Sequence, residues 1–368
     1  MTYDTPQVTQ EHDFLFDLRG YLLLEQALSL EQVAALNGAI DVLPPLEPQQ
    51  WHGHVHRNDY AESWGYNLQN IIEGGQPFEE LIDHPGFLPW VQRYAGHDGL
   101  YIDEALVTIR RPGQGVSLHS GGHKRRVRTQ YRVATGGSDG VSELEWRVGQ
   151  LNVMVALTDV QPGDGGTMLI PGSHKSNLLN PGFTPEGREA LGAGHDMSNV
   201  PAAVEIFMKA GCAPCHPFFF FQMNELGFII DGQMLMCLTR PCAMAAPCRD
   251  VLLFVDSTAH GSAPRTNEEG ERRFALYRYG PNWGSSRYGY VPSDALLERL
   301  APHPQRYKII QPLEPLLVHK QSASACDVRV RFDGLRVVGG ARRPRRRRGL
   351  HPHPPLRSCE RERERGGG

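Results

Sequence analysis

The sequence has no long apolar run and no export signal. Its 368 residues contain no stretch near the roughly 18 consecutive apolar residues that a membrane-spanning helix needs. The first residues, MTYDTPQVTQEHDF, have neither the basic region nor the apolar core of a secretory signal. We therefore expect an intracellular, cytoplasmic protein with no membrane partner.

Cysteine is absent from the first 211 residues. All seven cysteines follow, and five of them lie between Cys212 and Cys248, in a stretch that also holds a phenylalanine run and scattered prolines. An odd number of cysteines without an export signal argues against a disulfide framework. Without this stretch the flanks read KAG-DVLLFVD, a strand, a Gly-Asp turn and a strand. We therefore predict that residues 212–249 are an insertion between two paired strands.

A net charge of −3 conceals a strong asymmetry, because residues 341–368 carry ten arginines against three glutamates. The rest of the chain is correspondingly acidic, so the sequence gives no clear indication of nucleic-acid binding, with contact between the basic end and nucleic acid or another acidic surface as the alternative to plain disorder. The basic end is low in complexity and too polar to bury a core. We predict a disordered tail over residues 321–368.

The hydrophobic pattern predicts an N-terminal helix followed by many strands. Residues 27–42 place apolar side chains at helical intervals behind Ser29, and Gln32 three positions later completes a capping box. From Leu100 onwards, short β-rich runs alternate with Gly, Pro and Asp turns. Such a series is typical of a β-sandwich or jelly roll.

Two histidines follow β-rich runs at the places where an iron jelly roll needs ligands. His119 comes after a Gly-rich turn in RRPGQGVSLHSGGH, and His260 ends the apolar run VLLFVDSTAH. Neutral imidazole suits Fe(II), and non-haem oxygenases bind it with two histidines and one carboxylate, leaving positions for a 2-oxoacid and dioxygen. We predict that His119 and His260 converge on one metal ion.

An arginine pair on the next strand has the chemistry to hold the 2-oxoacid. The distal carboxylate of 2-oxoglutarate suits a permanently charged, planar fork such as that of Arg272 or Arg273. Because adjacent strand residues point to opposite faces, only one of the two can point inward. We predict that Arg273 does so, together with Ala275 and Tyr277, while two solvated arginines on an exposed edge remain the alternative.

Longer motifs resemble those of the phytanoyl-CoA dioxygenase family. The most specific lies between Ala156 and Asn177, and the others surround the two histidines and the arginine pair; the segments are QLNVMVALTDVQPGDGGTMLIPGSHKSN, DVLLFVDSTAHGSAPRTN and RRFALYRYGP. The resemblance covers roughly residues 13–310 outside the insertion. It implies a mainly β fold, a cupin-like double-stranded β-helix with N-terminal and flanking helices. We expect a tail over residues 1–12 and a single domain over residues 13–320.

The same resemblance implies an oxidative enzyme with Fe(II) and 2-oxoglutarate as cofactors. His119 and His260 match the two histidine ligands, and Arg273 or Arg272 matches the 2-oxoglutarate anchor. Further contacts to the cofactor are expected from Gln150 and Asn152. The implied reaction is hydroxylation of a small organic or acyl substrate.

One position departs from the family pattern, which has an aspartate two residues after the first histidine. This chain has Gly121 there. Another acidic side chain can supply the carboxylate in space, Asp103, Glu104 and Asp256 being the candidates. Alternatively, halide fills the gap, as in related iron halogenases, or the site is degenerate and the protein binds a ligand without turnover.

A basic run follows the first histidine closely. It comprises His123 and the segment from Lys124 to Arg128. Such a run at the mouth of a pocket attracts anions. It favours an anionic small-molecule substrate, such as a CoA ester or another phosphate-bearing acid, over a neutral one, with a solvated loop as the alternative.

Overall fold

The computed structural model describes residues 6–96, 99–121, 131–135, 144–176, 178, 180–190, 197–209, 248–281 and 291–311. One compact unit spans Met1–Val318. A second unit, His319–Gly368, contains the predicted basic tail and lies outside the described residues. The basic run that begins at His123 and nearly all of the predicted insertion also lie outside them.

Seven α-helices and fourteen strands occur in the described part of the chain. The helices are α1 (Gln10–Arg19), α2 (Leu30–Asp41), α3 (Gln76–Glu80), α4 (Leu88–Ala95), α5 (Pro185–Ala190), α6 (Asp294–Leu300) and α7 (Pro304–Ile309). The first strands are β1 (Tyr21–Ser29), β2 (Trp51–His52), β3 (Val55–Asn58), β4 (Tyr66–Gln69), β5 (Leu100–Arg110), β6 (Val116–His119) and β7 (Arg132–Thr135). The remaining strands are β8 (Leu144–Arg147), β9 (Leu151–Ala156), β10 (Thr167–Leu169), β11 (Val204–Ile206), β12 (Cys248–Val255), β13 (His260–Ser262) and β14 (Arg272–Pro281). Within the described ranges, no helix is long and apolar enough to cross a membrane.

The strands form a large sheet and a small sheet, both antiparallel, as expected for a jelly roll. The large sheet has the order β1-β12-β9-β14-β5-β4-β3-β2, and the small sheet has the order β11-β10-β13-β6. A separate ribbon joins β7 to β8. The predicted double-stranded β-helix with N-terminal and flanking helices is confirmed.

Both faces of the central strands of the large sheet are buried, each by a different layer. On one face, alternate residues such as Val251 and Leu253 of β12 pack in the cluster that contains helix residues such as Leu36 of α2. On the other face, Leu252 and Phe254 pack with residues of the small sheet. Because side chains alternate along a strand, each central strand contributes to two cores. Only the inner one, between the sheets, borders the site described below.

Helix caps fix the N-terminal elements and revise two predicted boundaries. Thr9 caps α1 in a capping box, so residues 10–12 belong to this helix and not to the predicted tail. Ser29 caps α2 with the predicted partner Gln32, as the sequence indicated. The helix begins only after this cap, because the preceding residues pair with β12 as part of β1.

The prediction of a hairpin around the insertion is wrong, although its two ends do meet. β11 pairs with β10 in the small sheet, whereas β12 pairs with β1 and β9 in the large sheet. The backbone N–H of Lys209 nevertheless donates to Asp250 Oδ2 at 2.8 Å, and the Asp250 N–H donates to the Lys209 carbonyl at 3.2 Å. Because Cys248 and Arg249 are the first residues of β12, the predicted upper boundary lies two residues too far along the chain. Residues 210–247 lie outside the described part of the chain.

Candidate metal centre

His119 and His260 lie side by side in the small sheet. They are direct cross-strand partners of β6 and β13, and their ring centroids are 4.1 Å apart. His260 begins β13 and does not end the preceding strand, since β12 stops at Val255. The predicted convergence of the two histidines is therefore found, and their role as metal ligands stays a prediction.

Backbone carbonyls fix the protonation of both rings. His119 Nδ1 lies 2.9 Å from the carbonyl oxygen of Ser117, and His260 Nδ1 lies 2.6 Å from that of Thr258. A carbonyl only accepts, so each Nδ1 carries a proton, and in the neutral form of either ring the lone pair is on Nε2. This second bond is typical of metal-ligating histidine, where it orients the ring.

Burial keeps His260 in the neutral form that a metal ligand needs. Loss of solvent, followed by repulsion from His119, lowers the pKa of His260 well below its ordinary value, while Asp256 and the Thr258 carbonyl oppose this shift. An uncharged imidazole offers its lone pair to a cation at neutral pH without first losing a proton. His260 therefore has the protonation state of a metal ligand.

A cavity of about 460 Å³ opens over the two histidines, between the sheets. Its apolar wall includes Trp64, Leu106 and Leu276, and its polar wall includes three arginines, Arg110, Arg272 and Arg278. This size suits small ligands. The cavity thus joins a histidine pair to a strongly cationic surface.

The structure corrects the predicted orientation of the arginine pair. Arg272 lines the histidine cavity, whereas Arg273 lies on the opposite face of β14. There Arg273 pairs with Asp41 of α2 at 2.6 Å and with Glu271 at 2.7 Å. The alternation argument was right that only one of them points inward, but it selected the wrong one.

Ala275 and Tyr277, which were predicted to point inward together with Arg273, also lie on the outer face of β14. Tyr277 is fully buried beneath the helices, and its hydroxyl donates to the Phe78 carbonyl at 2.6 Å. Ala275 packs in the same outer cluster. The inward residues of β14 are the even-numbered ones, which include Arg272 and Arg278.

Arg272 is buried and forms no ion pair with the described residues. Its Nε and one Nη are buried and make no hydrogen bond among the described residues. Its direct cross-strand partner on β5 is a second buried arginine, Arg110. Burial, then repulsion from Arg110, lowers the pKa of Arg272 to about 9, and burial lowers that of Arg110 to about 10. Both remain cationic at neutral pH, and adjacent buried cations favour an anionic ligand.

Asp256 occupies the place beside Gly121 where the family carries its aspartate. A Cβ built on Gly121 would fall 1.6 Å from Asp256 Oδ2, which is about the length of a covalent bond. The two backbones are also joined, since the Gly121 N–H donates to the Asp256 carbonyl at 2.9 Å. A carboxylate from a different part of the chain therefore lies next to the glycine.

The other two candidate carboxylates also have hydrogen-bonding or ion-pair partners. Asp103 accepts a hydrogen bond from Gln150 at 2.8 Å, and Glu104 forms an ion pair with Arg278 at 3.1 Å. Within the described ranges, no three His, Cys, Asp or Glu side chains already converge as a metal cage. The structure thus presents two converged histidines and one nearby carboxylate.

Gln150 and Asn152 are buried near the site but do not border the cavity among its described lining residues. Gln150 binds Asp103, and Asn152 donates to Asp256 Oδ1 at 3.1 Å. The predicted direct contacts of these two residues with the cofactor have no support in this geometry. Arg110 does border the cavity, and the sequence analysis did not identify it. Its position in the cavity follows from its pairing with Arg272 across two strands, which the sequence alone does not show.

The antiparallel sheet architecture, the paired histidines and the inward arginine are the features that the sequence led us to expect of a jelly-roll iron- and 2-oxoglutarate-dependent oxygenase. The family model for phytanoyl-CoA dioxygenase (PhyH) matches residues 16–212, more than half of the chain. This chain belongs to the phytanoyl-CoA dioxygenase family. It is accordingly a 2-oxoglutarate-dependent oxygenase, with Fe(II) and 2-oxoglutarate as cofactors. The match ends at residue 212, where the predicted insertion begins.

Solved structures of HygX from Streptomyces hygroscopicus show the same fold. The form with nickel, 2-oxoglutarate and hygromycin B bound is 18% identical, covers 78% of this chain and 94% of its own, and has a TM-score of 0.52. The iron-bound form has the same identity and coverages and a TM-score of 0.51. No curated protein matches the chain.

The residues present fit the two cofactors. Two imidazoles with oriented rings suit Fe(II), and the buried guanidinium of Arg272, whose Nε and Nη1 make no hydrogen bond among the described residues, suits a carboxylate. Asp256 has the chemistry of the remaining protein ligand. The fit is thus good for 2-oxoglutarate and for two of three metal ligands, and it depends on Asp256 for the third.

Proposed function

We propose that this protein hydroxylates a small, anionic organic or acyl substrate, with His119 and His260 as metal ligands and Arg272 as the anchor for 2-oxoglutarate. The observation that carries the proposal is the shared cavity. It brings together two imidazoles whose rings are oriented through Nδ1 and one buried arginine whose Nε and Nη1 make no hydrogen bond among the described residues.

Each of these side chains has a distinct task in this reaction. His119 and His260 would hold Fe(II) with rings that are oriented through Nδ1, and the ion would supply activation of dioxygen. The overall change would convert 2-oxoglutarate, dioxygen and substrate to succinate, carbon dioxide and hydroxylated substrate. Arg272 would bind the distal carboxylate of 2-oxoglutarate through its guanidinium group.

The charge of the cavity supports an anionic substrate. Arg110, Arg272 and Arg278 line it, and its described lining residues include no aspartate or glutamate. One guanidinium is needed for the distal carboxylate of 2-oxoglutarate. Arg110 lies directly across from Arg272 and can attract a second acidic group, carried by the substrate.

The halide alternative has less support. A halide beside Gly121 would lie against the carboxylate of Asp256, and like charges at such a distance repel strongly in a buried site. A binding protein without turnover remains a distinct outcome, which activity measurement separates from an oxygenase.

Production of succinate from 2-oxoglutarate tests the proposal. We expect slow Fe(II)-dependent succinate formation even without substrate, and faster formation when an accepted acidic substrate is added. His260→Ala should abolish both, because one ligand is lost. His303→Ala removes an exposed histidine outside the cavity and serves as the matched control. Succinate formation that persists in His260→Ala, or is absent from the iron-loaded wild type, would contradict the proposal.

A further inference from the structure

We infer that Asp256 supplies the metal-binding carboxylate that the family normally places two residues after the first histidine. The inference rests on the proposed function, since it concerns the same metal site. It assigns the ligand to the β12–β13 connection, four residues before His260, and leaves Gly121 as the space into which that carboxylate fits.

The first support is that the glycine and the carboxylate fit one another. Any side chain at position 121 would place its Cβ 1.6 Å from Asp256 Oδ2 and 2.6 Å from Cγ, so the two cannot coexist without movement. Gly121 is not among the residues with positive φ, so its backbone does not itself require glycine. The nearby carboxylate is what excludes a larger residue here.

The second support is the way in which the carboxylate is held. Asn152 and Arg278 both donate to Asp256 Oδ1, at 3.1 and 3.0 Å. They fix the carboxylate through one oxygen while Oδ2 is directed towards Gly121. Carboxylates that bind metals are commonly oriented in this manner by outer hydrogen bonds. If the only role of Asp256 were to follow the end of strand β12, it would need neither of these two hydrogen bonds.

Two hydrogen bonds join the segment that contains Asp256 to the segment that follows His119. The Ser120 hydroxyl donates to the Ser257 carbonyl at 2.9 Å, next to the bond between the Gly121 N–H and the Asp256 carbonyl. The segments that follow His119 and precede His260 are therefore tied together. Because the described side chains do not yet form a three-ligand cage, ion binding requires Oδ2 to move from the Gly121 side towards the histidines.

Metal affinity tests the inference independently of turnover. We would titrate the apo protein with Co(II), following heat by calorimetry and the visible absorption of the bound ion. Asp256→Asn keeps the size of the side chain and an acceptor for Arg278, and it should bind Co(II) at least about tenfold more weakly. Asp103→Asn, which alters another buried carboxylate that bonds Gln150, should bind as the wild type does.

A carboxylate swap separates ligation from a purely structural role. Asp256→Gly should weaken Co(II) binding, and adding Gly121→Asp to it should recover at least about tenfold, because the carboxylate returns from the other segment. Folding is checked by thermal unfolding. If the Asp256→Gly variant does not fold, the Asp256→Asn titration decides alone.

The outcomes distinguish this inference from the function on which it rests. Wild-type affinity in Asp256→Asn, or no recovery in a folded swap variant, overturns the role of Asp256 and leaves the histidine site standing. Absence of saturable Co(II) binding by the wild type overturns the metal site itself, and with it the proposed function.

Discussion

Arg272 and Arg273 are neighbours in sequence, yet their guanidinium groups lie on opposite faces of the large sheet. Arg272 enters the histidine cavity, and Arg273 forms ion pairs with Asp41 and Glu271 on the helix side. Each arginine is thus a natural control for the other. Substituting each arginine in turn therefore separates effects on 2-oxoglutarate affinity from effects on the free energy of unfolding.

Arg272→Met should weaken 2-oxoglutarate binding by roughly ten- to a hundredfold. The estimate takes about 1.5–3 kcal/mol for lost hydrogen bonds to a charged group, with about 1.4 kcal/mol for each factor of ten. The dissociation constant of 2-oxoglutarate, measured by calorimetry on the metal-loaded protein, checks it. The variant should stay folded, because it removes buried N–H groups that have no partner.

Arg273→Met is the control for that measurement. It should leave 2-oxoglutarate affinity within about twofold and lower the free energy of unfolding by about 1 kcal/mol, because the ion pairs of Arg273 are partly exposed and Asp41 is largely so. The reverse pattern, with Arg273→Met losing affinity and Arg272→Met keeping it, would return the anchor to the residue that the sequence favoured.

The error over Arg273 has a physical origin. Alternation shows that adjacent residues of β14 differ in face, but both faces are buried, so hydrophobicity does not tell which one borders the cavity. Tyr277 looked like a polar residue of the site, whereas its hydroxyl is satisfied by the Phe78 carbonyl under the helices. Choosing the face requires the tertiary structure.

Gly20→Ala should be more destabilising than Gly113→Ala, although both glycines have positive φ, of 81° and 79°. The conformational cost is shared, about 1–2 kcal/mol. At Gly20 a Cβ would also lie 2.4 Å from His174 Nδ1, whereas at Gly113 it meets nothing within 4 Å. Overpacking adds about 1–3 kcal/mol at Gly20. Chemical denaturation measures both, and equal losses would contradict the close contact.

Acid should destabilise the fold partly through His84. Burial, with a smaller effect of Arg306, lowers the pKa of His84 to about 4. Since the unfolded chain then binds the proton more readily, this stabilisation is complete above about pH 6.5 and is lost as pH falls towards 4, amounting to about 3 kcal/mol. His84→Asn should lose correspondingly less between pH 7 and pH 4 than the wild type. Parallel pH profiles of the free energy of unfolding would refute this.

Gly121→Ala should impair both folding and metal binding. The new Cβ would displace the carboxylate of Asp256, with an overpacking cost of about 1–3 kcal/mol. Thermal unfolding and Co(II) titration report the two effects. A variant that matches the wild type in both would show that Asp256 moves aside freely and that its position has no consequence.

How far the sequence predicts the site depends on the type of residue. The Ser29 cap and the strand-rich pattern follow from local chemistry and agree with the structure. His119 and His260, although distant in sequence, were recognised because their chemistry and motifs are distinctive. The approach of Asp256 to Gly121 depends on two loops meeting in space, so the sequence could only name that residue among three candidates.

Anaerobic titration of the apo protein with Fe(II), with and without 2-oxoglutarate, tests the central claim most directly. We expect one ion per chain in the wild type, a charge-transfer absorption band only when ion and 2-oxoglutarate are both present, and loss of the band in His119→Ala and in His260→Ala. Saturable binding of one ion that survives both substitutions, or a wild type that binds no ion, would contradict the assignment of these two histidines as the metal centre.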